Sequence, residues 1–364
     1  MTRGESGRDG PGAEPDRVPF GFTSACEIAD EDPETLLSAF AERGWGDGLP
    51  LVAPTPERVE AMLAGVDADP DEVVAVLAPR GGEASIGVIA VNAVLAGCEP
   101  RHLPVLVAAV RALARPELNL AGVNATTHPV APLLVVHGRA AREGGYNAGA
   151  GALGPGNRAN ATTGRALRLI LLHVAGAVPG VSDASTQGSP AKYAYCTAEN
   201  AAATPWPAFA VRRGVGADSA VTVHCGEAPH NVHDMESTEP ARLLDKVAST
   251  LASTGHNQAC ISSGDLVVLL CPEHAATVAA AGWGPDDVAA RLFQRARLPA
   301  GELRRAFDLR AWAPWMEAAD DDELLPIVEH PDHIHVIVVG GPGKHSSVVP
   351  SWGMTRLVTE PVEG

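Results

Sequence analysis

The sequence predicts an α/β fold, a mixed or mostly parallel sheet flanked by helices, with two related α/β halves as a further option. Three observations carry this expectation. Continuous apolar runs at 132–137, 265–271 and 333–339 have the length and composition of strands covered on both faces. Stretches of helical periodicity separate them. Finally, Gly122-Val123-Asn124 ahead of the first run recurs as Gly255-His256-Asn257 ahead of the second, 133 residues on, and Leu133 and Leu266 share that spacing.

The elements follow in order. Residues 32–44 carry Leu36, Leu37 and Phe40 at helical spacing. Thr55 and Pro56 suit the N-cap and first position of a second helix, with Met62 and Leu63 on its apolar side. A short strand is expected at 71–77, and apolar helices at 85–97 and 104–113, split by the turn around Pro100. Residues 118–123 and 132–137 read as strands, and a long helix as running from about 159 to 175. The region 179–216 is rich in Pro and Gly and irregular; a strand at 219–224 and a helix at 240–251 lead to the apolar strand at 265–271. Two helices fill 273–305, an acidic stretch covers 317–323, and the strand at 333–339 runs into the loop GGPGKHSS.

At 364 residues the chain exceeds the usual size of one core. The expected organisation is a disordered tail at 1–18, a first α/β unit at 19–178 and a second at 179–364. The tail has no signal-peptide pattern, no apolar run reaches transmembrane length, and six cysteines show no CxxC pair. A cytoplasmic protein with reduced thiols is therefore expected. The net charge of −17 argues against nucleic acid and membrane surfaces as partners. An anionic ligand would need a local positive pocket.

Several segments carry chemistry. The glycine-rich stretch 144–156 precedes Asn157, Arg158 and Asn160 where a helix begins, a pattern that suits an anion; a tight turn is the plain alternative. The second glycine loop, 340–347, places Lys344 and His345 at the end of a buried strand, where open α/β sheets bind ligands. KYAYCTAEN packs Lys192, Cys196 and Glu199 closely. On a helix, Lys192 and Cys196 would share a face, and an ammonium there would favour a thiolate. His128 in TTHP ends a strand candidate, and Asp47 lies between glycines in GWGDGLP. His224, Cys225, His230 and His233 offer ligand types for a transition metal, although their spacing fits no standard site.

With GWGDGLP, NAVLAGC, GPGNRAN, KYAYCTAEN and GGPGKHS in this order, the chain resembles a largely uncharacterised bacterial family, similar in turn to proteins of the UGSC-type thiol or selenol redox group. The resemblance implies emphasis on the motif residues and, as an alternative, thiol redox chemistry with a redox partner protein. His224 and Cys225 depart from its pattern.

The sequence thus points to an enzyme acting on a small anionic metabolite, a lyase or hydrolase, since no nucleotide or flavin fingerprint is present. Lys192, Cys196, Glu199, His345 and His128 are the expected catalytic groups; Asp47, Asn157, Arg158, Asn160 and Lys344 would bind substrate. No cofactor is expected, with a metal at His224, Cys225, His230 and His233 as the alternative. Homo-oligomerisation and a non-catalytic accessory role, presenting a metabolite to a partner enzyme, remain open.

Overall fold

The computed structural model describes residues 32–215, 218–307 and 314–363. The expected tail at 1–18 lies outside them, as does Cys26.

Helices α1 (Pro33–Glu42) and α2 (Pro56–Leu63) begin as their sequences dictate, with Asp32 and Thr55 accepting from backbone N–H groups of the first turn. A hairpin of β1 (Val73–Leu77) and β2 (Gly82–Ser85) follows. It leads into the apolar helices α3 (Ile86–Ala96) and α4 (Leu103–Leu113), then the short α5 (Leu120–Ala125). The strand expected at 118–123 is thus helical instead. Asn119 adopts the left-handed region at φ 57°, and its side chain accepts from Gly122 N–H, which starts a helical turn. The apolar Leu118, Leu120 and Val123 suit either period.

The first sheet is built from β3 (Ala131–His137), β4 (Cys196–Ala198), β5 (Ser219–Gly226) and a late strand, Val358–Pro361. Between β3 and β4 come α6 (Gly138–Glu143) and α7 (Arg158–Ile170), and α8 (Phe209–Arg212) precedes β5. The second sheet uses β6 (His230–His233), β7 (Leu266–Leu270), and strands at Ile334–Val338 and His345–Val349. Helices α9 (Pro240–Leu251), α10 (Asn257–Cys260), α11 (Pro272–Ala280), α12 (Pro285–Arg295), α13 (Ala300–Ala306) and α14 (Pro314–Glu317) accompany it. A small ribbon pairs β8 (Arg297–Pro299) with β9 (Leu324–Pro326). The remaining strands are therefore β10 (Ile334–Val338), β11 (His345–Val349) and β12 (Val358–Pro361).

The two sheets stack face to face. Leu133 and Val135 of β3 share one buried cluster with Val267 and Leu269 of β7 and Ile337 of β10. Alternate residues point outward: Leu134 and Val136 pack with α3, α4 and α7, while Leu266, Val268 and Leu270 pack with α9, α11 and α12. The result is four layers, helices, sheet, sheet, helices, which explains why the central strands β3 and β7 are apolar but for His137 at the end of β3. Among the described residues no helix is long and apolar enough to cross a membrane.

The sheets repeat one topology. In each, a central strand (β3 or β7) has a parallel neighbour (β4 or β10) and an antiparallel one (β5 or β11). The fourth strands are exchanged: β6 follows β5 but pairs with β11, and β12 follows β11 but pairs with β5. Gly226, the last residue of β5, and Ser351, just past β11, bridge to one another where the halves meet. The match runs at 134 residues rather than the 133 of the sequence echo. Glu199 N–H bonds Val136 O as Val339 N–H bonds Leu270 O, and His137 and Cys271 each end a strand and open a helix. A spacing of 133 would equate inward Leu133 with outward Leu266, because one residue of slip reverses the faces of a strand. The first sheet also draws on residues far beyond 178, so a division there does not follow the sheets.

Helix α7 lies close against β4 through Gly164. A Cβ at this position would stand 2.6 Å from Tyr195 N, a backbone atom that cannot swing aside. Gly164→Ala is expected to lower stability by about 1–3 kcal/mol through overpacking, despite the better helix propensity of alanine. Denaturant midpoints at an unchanged m-value would measure it; a raised midpoint would mean that α7 is free to retreat from the strand.

Candidate functional site

A large cleft forms where α7 meets the loop after α1 and the irregular segment 179–193. Its polar walls follow from the spacing of two arginines. Arg165 and Arg168 lie three residues apart on α7 and share a face. Arg165 grips Asp47 through two hydrogen bonds, 2.7 Å from Nε to Oδ2 and 2.8 Å from Nη2 to Oδ1, and also donates to Leu49 O and Pro50 O. This fork pins the GWGDGLP loop to the helix. Burial pushes the Asp47 carboxyl up, but the Arg165 guanidinium outweighs it and holds the group below its ordinary value.

Arg168 reaches inward to Asp183, 3.4 Å away, and donates to Ala177 O. Pro190–Lys192 forms a single helical turn capped by Ser189, and this turn delivers the Lys192 ammonium to the same carboxylate, at 2.9 and 3.1 Å. Asp183 is buried and also accepts from Ser185 N–H. Burial lowers the pKa of Lys192 against the opposing pull of Asp183, and burial lowers that of Arg168 as well.

The space enclosed is about 610 Å³, lined by the charged Asp47, Arg168, Asp183 and Lys192 together with Leu172, Pro179, Pro190 and Tyr193. Ser185, Thr186, Gln187 and Ser189 supply uncharged donors and acceptors. Behind it lies a void of about 20 Å³ that shares Arg168 and Lys192, enough for one water. Arg165, set back from the cleft, pairs with Asp47, so Arg168 and Lys192 are left to share the one carboxylate of Asp183 inside a strongly acidic protein. A concave, partly apolar cleft with converging charged groups is the usual form of a small-molecule site.

Of the residues the sequence singles out, Lys192 and Asp47 meet at this cleft. The others stand elsewhere. Cys196 begins a strand rather than continuing a helix, and its buried side chain packs in the outer helical core, where burial pushes the thiol well up. Lys192 exerts its field instead on buried Cys225, whose thiol burial still pushes up to about 12. These environments favour inert thiols. Glu199 is buried and accepts from His137 Nδ1 at 2.7 Å and from Phe209 N–H at 2.9 Å. His137 Nε2 lies 2.8 Å from Thr222 Oγ1, which completes a closed polar group. His128 pairs through Nε2 with Glu227, 2.8 Å away.

The two glycine loops do meet, though as packed backbone. Gly340 N–H donates to Ala148 O, Asn200 Nδ2 donates to Gly340 O, and a Cβ at Gly341 would stand 2.8 Å from Ala150 N. The expected anion loop is occupied by its own asparagines. Asn157 caps α7 by accepting from Asn160 N–H, while Asn160 donates to Asn147 O and Ala152 O. Arg158 turns outward to Gly97 O and Glu99, so no cation faces the loop from that position. Lys344 has φ 53° and donates to Met235 O.

The alternative metal set also separates. His224 is buried, donates from Nε2 to Val349 O, and its pKa is pushed by burial down to about 4; Cys225 lies on the opposite face of β5. His230 and His233 are exposed on β6, three residues apart and so on opposite faces of it. No group of three or more metal-ligating side chains occurs among the described residues.

Arg168 and Asp183 are the two charged members of the cleft that sequence reasoning passed over. The pair Arg165 and Arg168 on an otherwise apolar helix face was the available signal; Asp183 had none. Compared with family models, curated proteins and solved structures, the chain matches none of them.

Proposed function

We propose that the chain is an enzyme acting on a small anionic metabolite in this cleft, with Arg168 and Lys192 holding the anionic group and Lys192 moving a proton. One observation carries the reading: two largely buried cations share a single carboxylate, Asp183, on the wall of a cleft of about 610 Å³. A ligand carboxylate or phosphate completes the charge that Asp183 leaves unmatched. Burial makes the Lys192 ammonium a readier proton donor than a solvated lysine, which suits acid–base work in a lyase or hydrolase reaction. Arg168, a permanent cation with a planar fork, is the better fixed anchor.

A ligand-observed NMR screen of hydroxy and keto carboxylates and phosphate esters tests this. Lys192→Met is expected to abolish the binding signals while thermal unfolding stays cooperative. Ligands retained at full strength by that variant would remove the proposal. Binding without turnover of any retained ligand would favour the accessory role over an enzyme.

A further inference from the structure

At the free edge of the second sheet, His345 on β11 and His233 on β6 are direct antiparallel partners. Both are exposed, and their ring centroids stand 5.1 Å apart at 31° between planes. Val232 and Val348 on the alternate positions are buried in the core below the sheet, so this pair projects from the other face on a fixed backbone. The His345 ring is also oriented. Its Nδ1 lies 2.9 Å from Asn231 Oδ1, an acceptor, and the tautomer with the proton on Nδ1 leaves the Nε2 lone pair open to a metal.

We propose that His233 and His345 form a cross-strand site for a divalent transition-metal ion of the zinc, copper or nickel type. The spacing fits coordination. With ring nitrogens about 2.0–2.1 Å from zinc, each ring centre stands about 3.2 Å from the ion, and a tetrahedral angle puts two such centres about 5.2 Å apart. Two imidazoles select this class of ion over magnesium or calcium, which require oxygen ligands. The Asn231 contact is the outer-sphere hydrogen bond that ligating histidines use to fix their tautomer. Two protein ligands leave the remaining positions to water or to an anionic ligand. This pairing joins strands 112 residues apart in sequence, which is why neither the HCGEAPHNVHD segment nor the GGPGKHSS loop shows it alone.

Titrating tag-free full-length protein with zinc chloride against a chromophoric chelator tests the site. One zinc per chain is expected, with affinity falling at least tenfold in His233→Ala and in His345→Ala. His230→Ala, on the opposite face of β6, keeps wild-type affinity, and magnesium does not compete. Histidine resonances assigned to 233 and 345 shift together on zinc addition. Unchanged affinity in either of the first two variants, an equal loss in His230→Ala, or no zinc bound by the wild type would overturn the proposal.

Discussion

Replacing Asp183 with Ala is expected to destabilise the fold by about 3–5 kcal/mol, because it strands two cations that are more than four-fifths buried. The pair's own attraction is not what sets this figure. Lys192 and Arg168 have side-chain exposures of 15% and 13%, so neither recovers full hydration once the carboxylate is gone. Their mutual repulsion then acts across a poorly screened space. Adding Lys192→Met to Asp183→Ala should restore part of the loss, since one buried charge is removed and its aliphatic stem retained. Chemical denaturation of the two single variants and the double variant gives the coupling. A double variant no more stable than Asp183→Ala alone would show that the ion cluster contributes little to the fold.

The same cluster has a pH signature. Burial holds the Lys192 pKa below its ordinary 10.5, so the unfolded chain binds the proton more tightly than the native one. Native stability therefore rises as pH climbs from the lowered folded value toward 10.5, and the penalty on the buried ammonium is present in full below that window. Without Asp183 the folded value falls further and the window widens.

What the sequence reveals here follows from what each layer demands. β3, β7 and β10 sit between two cores, so apart from His137 and His335 every side chain is apolar and the runs are legible. β4, β6 and β12 are three or four residues long; His230–His233 and Val358–Pro361 mix polar and apolar positions at the sheet edges, so their strand character comes from the partner across the exchange. A pattern within one window cannot encode that pairing. The repeat was visible, but off by one, because identical residues at Leu133 and Leu266 aligned more readily than the hydrogen-bond register did. At the cleft, Lys192 stands out in sequence beside Cys196 and Glu199, and Asp47 between glycines. Asp183 meets Lys192 and Arg168 through a turn in a Pro/Gly-rich segment, and Asp47 meets Arg165 across 118 residues. Such pairs leave no periodic trace. The glycine loop misled for a related reason: the features that make a helix N-terminus attractive to an anion also attract asparagine side chains, and here these arrived first.

Asp265→Ala is expected to be comparably severe, at about 3–5 kcal/mol, for a different reason. Asp265 is buried beside the interface of the two sheets and links the second to the first. It accepts from Arg356 Nη1 at 3.0 Å and from Leu357 N–H at 2.8 Å, just before β12 crosses over, and His335 Nε2 on β10 stands 3.0 Å from its carboxylate. Removing the carboxylate leaves a buried N–H and a guanidinium without their acceptor, and a buried imidazole without the charge beside it, at the point where the exchanged strand is anchored. Burial pushes the Asp265 carboxyl up, but His335, Leu357 N–H and Arg356 outweigh it and hold the pKa at about 2 against an ordinary 3.8. A depressed carboxyl contributes stability that is complete above 3.8 and lost as pH falls toward about 2. At about 1.4 kcal/mol per unit, that contribution is on the order of 2 kcal/mol. Wild-type stability measured by denaturant between neutral and acid pH should therefore drop more steeply below pH 4 than that of Asp265→Asn, which keeps the shape and cannot titrate. Parallel profiles for the two proteins would place the acid sensitivity elsewhere and leave the anchor of β12 without its assigned charge.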